Sequence, residues 1–112
     1  MAILKNLEAL RLGHPGIEAI AYVDLGSETV LGKTSAINEP QEEFDALSAT
    51  ASEIIGGATG EADEAVRLQA TKSLIIRRAP LAPSEAVCVV CAPDIDVLSV
   101  LNHVTVALEA NA

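Results

Sequence analysis

The sharpest chemical pattern in this sequence is Cys88-Val89-Val90-Cys91, two thiols separated by two residues. A redox dithiol needs its first sulfur at a helix N-terminus, where the dipole lowers the thiol pKa. Here both cysteines fall within 86–92, a continuously apolar run that reads as a central strand covered on both faces. Residues three apart on a strand point to opposite faces, so the thiols diverge and read as core packing. Zinc would need two further ligands, and His14 and His103 offer no paired spacing. No metal is expected.

Other reactive residue types give the same answer. His14 lies in a turn between Gly13 and Pro15, and His103 projects from a helix away from its apolar stripe. Neither has a Ser, Cys or carboxylate at a recognisable spacing, and both read as surface residues, although the members of a triad meet only in the fold. Gly56, Gly57 and Gly60 lack the lysine and hydroxyl of a phosphate-cradling loop, and no G-x-G-x-x-G occurs. A helix end followed by a loop accounts for them. Arg77-Arg78 puts two cations on opposite faces of one strand. At most one reaches solvent freely, so the other requires a partner such as a carboxylate or a dimer edge; surface salt-bridging is the ordinary reading. The acidic residues are scattered or lie on a helix's solvent face. No catalytic residue and no cofactor are expected.

A chain of 112 residues fits one domain, residues 1–112, and can build one core without staples. Half of it is apolar, with only Tyr22 and Phe44 as aromatics, so the core is aliphatic. Seven basic against 16 acidic residues give a net charge of −9. Such a surface repels nucleic acid and anionic lipid, both of which need Lys and Arg. No stretch approaches the roughly 20 apolar residues of a membrane span. Residues 1–12 read as an amphipathic helix rather than a signal peptide, and two cysteines make no secreted disulfide framework. The cytoplasm is the expected location.

These residues must be held by elements that the spacing predicts. Ile3, Leu7 and Leu10 give a helix over 2–12, ended by Gly13 and Pro15. Strand 17–25 puts Ile17, Ala19, Ala21, Val23 and Leu25 on one face, with Ile20 and Tyr22 on the other. A turn at Gly26-Ser27-Glu28 returns it as strand 29–35. Asn38 reads as the N-cap of the next helix, with Gln41 completing a capping box and Pro40 in the first turn. Phe44, Leu47, Ala51, Ile54 and Ile55 form that helix's apolar stripe, and Gly56-Gly57 ends it. Strands 64–71, 73–79 and 86–92 follow, with a turn between Pro80 and Pro83. Asp94 then caps a last helix whose Val97, Leu101, Val104 and Leu108 share a face.

The order helix-strand-strand-helix-strand-strand-strand-helix resembles the roadblock / dynein light chain family over roughly residues 3–108. Three local features add to it: Tyr22-Val23-Asp24 running into a Gly turn, the helix 39–55 closed by Gly56-Gly57, and the strand pair 74–78 and 86–92 before a final helix. Profilin-like and longin-like sensor domains share the layout. The resemblance implies an α+β fold: a five-stranded antiparallel sheet with helices on both faces. It also implies a non-catalytic homodimeric adaptor or regulator of a small GTPase or signalling complex. The family's dimer surface maps onto Phe44, Leu47, Ala51 and Ile54 of the middle helix and Val66 and Leu68 of the next strand. The chain departs from the family in its few aromatics and its C-x-x-C strand. A small-molecule sensor with a pocket between sheet and helix is the alternative, and a thiol-based redox protein a third reading.

Overall fold

The computed structural model describes residues 2–36 and 41–110. The first element, α1 (Ala2–Gly13), buries Ile3, Leu7 and Leu10 along one stripe. Main-chain bonds from His14 N to Arg11 O (3.2 Å) and from Ile17 N to His14 O (2.9 Å) then turn the chain into the sheet. β1 (Ile17–Asp24) and β2 (Thr29–Ser35) form the expected hairpin, its turn held by Asp24 Oδ1 accepting from Gly26 N and Ser27 N. α2 (Gln41–Ile55) ends at Gly56 and Gly57, whose φ values of 86° and 73° only glycine adopts without strain. β3 (Glu64–Leu68), β4 (Ser73–Ala79) and β5 (Ala82–Cys91) complete the sheet, and α3 (Val97–Glu109) closes the fold.

The sheet order is β2-β1-β5-β4-β3, with every neighbour antiparallel. The apolar run in β5 therefore lies at the centre, covered on both faces. On one face α1 and α3 pack over Ile20, Tyr22, Ile75, Val87, Val89 and Cys91. On the other, Phe44, Ala51 and Ile55 of α2 press onto Ala19, Ala21, Val23, Ala86 and Cys88. Large helix side chains meet small sheet side chains there, which lets α2 seat closely without aromatic filler. Among the described residues no helix is long and apolar enough to cross a membrane.

Several boundaries differ from the sequence reading, each for a local reason. Ile17 packs with Ile20 and Tyr22 instead of Ala19, because the pairing register with β5 shifts between Ile17 and Ala19. A bulge there interrupts the period of two. The α3 cap is Asp96, not Asp94: its side chain accepts from Ser99 N at 3.2 Å. β3 stops at Leu68 rather than 71, since Gln69 N bonds Lys72 O and tightens the turn. β5 begins at Ala82, four residues before the apolar run that announced it. The expected capping residue Asn38, with Pro40, lies outside the described residues.

Candidate functional site

The family-derived surface residues are not one patch. Phe44 and Ala51 are 2% and 0% exposed and hold α2 to the sheet from beneath, while Leu47 and Ile54 lie half-buried at the helix's rim. Val66 and Leu68 are 39% and 69% exposed on β3. Val66 pairs with Ile75 and Leu68 with Ser73, so both side chains lie on the α1/α3 side. Arg67, paired with Leu74, lies on the α2 side. An open trough of about 420 Å³ runs between α2 and β3, lined by Glu43, Leu47 and Thr50 on the helix and Arg67, Lys72 and Leu74 on the sheet.

β3 is an edge strand. Arg78 N donates to Asp63 O (2.7 Å) and Gln69 N to Lys72 O (3.0 Å), so the odd-numbered residues bond inward to β4. In an antiparallel ladder the alternate residues then turn their N–H and C=O outward. Those are Glu64, Val66 and Leu68, a short row of donors and acceptors flanked by exposed apolar side chains.

What holds this edge in place is Arg78, which is only 4% exposed. Its Nε donates to Ala62 O (2.8 Å), its Nη1 to Pro83 O (2.7 Å) and Gly57 O (3.0 Å), and its Nη2 to Ile55 O (3.1 Å). The guanidinium thus satisfies carbonyls left over at the α2 C-terminus and ties the 56–63 loop to β4 and β5. This corrects the expected salt bridge or dimer contact: the partners of the inward arginine are backbone oxygens. Arg77 reaches Asp63 O (3.1 Å) and Thr105 Oγ1 (3.4 Å). Gly60 is required in the same loop, because a Cβ there would stand 2.6 Å from Gly56 O.

The reactive side chains are placed by the packing around them. Cys88 belongs to the α2 core and Cys91 to the α1/α3 core, as the strand argument required. Both are free thiols, pushed up by burial to about 12 for Cys88 and about 11 for Cys91. The buried Tyr22 hydroxyl donates to Glu85 Oε1 at 2.6 Å, and burial followed by Glu85 raises its pKa. His14 and His103, expected as separate surface residues, meet with ring centroids 4.7 Å apart, and His103 Nδ1 sits 2.7 Å from Ser99 O. Nothing in their spacing announced that contact. Among the described residues no group of three or more His, Cys, Asp or Glu side chains could hold a metal. Between sheet and α2 the cavity lined by Ala19, Phe44, Leu47 and Val90 measures about 100 Å³. The open trough between α2 and β3, at about 420 Å³, is the larger of these two and lies within the size range of small-molecule sites.

No protein-family model matches the chain, and no curated protein matches it. Solved structures do. A Roadblock/LC7 domain from Streptomyces avermitilis superimposes with a TM-score of 0.76 at 13% identity, over 96% of this chain and 90% of that one. The gliding protein MglB from Thermus thermophilus gives 0.76 at 20% identity, over 97% and 84%. MglC from Myxococcus xanthus gives 0.73 at 13% identity, over the whole of both chains. Element order, sheet order and the division of helices between the two faces agree with that likeness, and the chain has a roadblock/LC7-like fold.

Proposed function

We propose that this chain is a non-catalytic adaptor or regulator that pairs with its own copy and acts on another protein, a small GTPase or a component of a signalling complex. The observation that carries the reading is the β3 edge, where outward backbone groups are flanked by Val66 and by Leu68, the latter 69% exposed. Natural proteins cover such edges, and a second copy is the simplest cover. The fold likeness to MglB and MglC supports the regulator class. Leu47 and Ile54 on α2, with Val66 and Leu68 on β3, would contribute contacts; Phe44 and Ala51 support them from the core. A net charge of −9 disfavours nucleic acid and anionic membranes as partners and suits the cytoplasm.

Light scattering across micromolar concentrations should report a dimer, and calorimetry with GTP and ATP should show no binding to the isolated chain. Pull-down should then recover a nucleotide-binding protein. Micromolar binding of either nucleotide to this chain would overturn the adaptor reading.

A further inference from the structure

The two histidines of the chain come from opposite ends of the sequence and meet on the α1/α3 face. His14 sits in the turn after α1, fixed on both sides by the main-chain bonds from His14 N to Arg11 O and from Ile17 N to His14 O. His103 sits midway along α3. That helix is seated by Val100 and Val104, which are buried in the same core as Leu7 and Leu10 of α1. Both imidazoles therefore stand on packed elements, with ring centroids 4.7 Å apart and ring planes at 61°. His14 is half-buried and His103 exposed, so solvent reaches the pair.

The bond to Ser99 O settles which nitrogen of His103 is available. A carbonyl oxygen only accepts, so Nδ1, 2.7 Å away, carries the proton, and in the neutral ring Nε2 keeps its lone pair. Metal-bound imidazoles are held in this way: the second nitrogen donates to a backbone carbonyl or carboxylate, which fixes the tautomer and orients the ring.

We propose that His14 and His103 form a surface site for a divalent late-transition-metal ion (Zn²⁺, Cu²⁺ or Ni²⁺), with water completing the coordination. Two imidazoles on one ion, bonded at about 2.0–2.1 Å and about 90–109° apart, place their ring centres roughly 4.5–5.2 Å from each other. The 4.7 Å separation lies inside that range. Turning the His14 ring about its side-chain torsions then aims its nitrogen at the ion without moving either backbone. Imidazole suits these ions and not Mg²⁺ or Ca²⁺, which take oxygen ligands. Two protein ligands make a weaker, exchangeable site than the four-ligand zinc centre that the spacing excluded, with a Kd on the order of 10 μM. Cys88 and Cys91 are buried and take no part. The ion would bridge the turn after α1 to α3, so it binds the folded chain in preference to the unfolded one and stabilises it.

Calorimetry on metal-free protein at neutral pH should show one Zn²⁺ per chain with a Kd on the order of 10 μM, tighter binding of Cu²⁺, and none of Mg²⁺. His14→Asn and His103→Asn should each weaken Zn²⁺ binding by roughly tenfold or more, because either leaves a single imidazole. Electron paramagnetic resonance of the Cu²⁺ form should show two coupled imidazoles in the wild type and one in each variant. Saturating Zn²⁺ should raise the thermal midpoint of the wild type by several degrees and that of neither variant. Circular dichroism checks that both variants fold. Failure to bind Zn²⁺ at up to about 1 mM, or wild-type affinity in either variant, overturns the site.

Discussion

Removing the Arg78 guanidinium would take a donor from the carbonyls of Ile55, Gly57, Ala62 and Pro83, that of Ile55 buried and the others partly so. Arg78→Met should therefore lower unfolding stability by about 3 kcal/mol, measured in urea. Arg78→Lys should recover little of it, because one ammonium cannot reproduce donors at Nε, Nη1 and Nη2. The sequence showed that one of the two arginines had to point inward. It could not show to what, since backbone carbonyls have no letter in a sequence. The cysteines were legible, because the strand period alone separates them. Their burial has a pH signature. Unfolded thiols ionise around their ordinary value of 9.0, while the folded ones are held at about 12 and about 11. A raised folded pKa contributes stability that is complete below pH 9 and is lost as pH climbs through the folded values. Stability should thus be flat from about pH 7 to 8.5 and fall above pH 9. Replacing both cysteines by Val should flatten the fall between about pH 9 and 10, the raised Tyr22 hydroxyl adding to it only above about pH 10. Thiol reagents at pH 8 should find neither cysteine until the chain unfolds; ready labelling of the folded protein would contradict the buried placement.

Element by element, hydropathy predicted where strands and helices lie better than where they end. The central strand was plain because its run 86–92 is apolar throughout, yet Ala82 to Glu85 join it through pairing of Ala82 with Ala79 and of Glu85 with Asp24, which leaves no hydrophobic trace. Choosing Asp94 over Asp96 failed because both have the right chemistry, and only the backbone decides which carboxylate reaches Ser99 N. Strand 64–71 kept its apparent alternation past Leu68 because turn residues can mimic the period by chance. The sheet order places β3 at the edge. Which of its residues share a face with α2 was not legible, since that depends on the β4 register. An element-scale prediction concerns that edge. Leu68→Glu and Leu68→Lys should each weaken self-association, because a charge replaces a 69% exposed apolar side chain on the edge strand. Self-association indifferent to both substitutions, read by sedimentation equilibrium, would remove β3 from the interface.

At the scale of the whole molecule, two chains of −9 must approach each other, and the sign of the salt dependence reports which electrostatic effect wins. The domain's extents are 32 × 28 × 25 Å, so paired centres lie no nearer than about the shortest of these. Two such charges at ~25 Å in water repel by roughly 13 kcal/mol unscreened. Screening leaves about 6 kcal/mol at 0.01 M salt and under about 1 at 0.15 M. Exposed ion pairs across an interface, at about 0.2–1 kcal/mol each, cannot offset the low-salt figure. Apolar contact and backbone pairing must supply the attraction. Self-association should accordingly tighten as salt rises from about 10 to 150 mM and then level off. Binding to a basic partner should move the opposite way, weakening across the same range. Sedimentation equilibrium at several salt concentrations separates the two, and a wild-type dimer that dissociates as salt rises through this range would show that pairwise attraction, not net repulsion, governs the assembly.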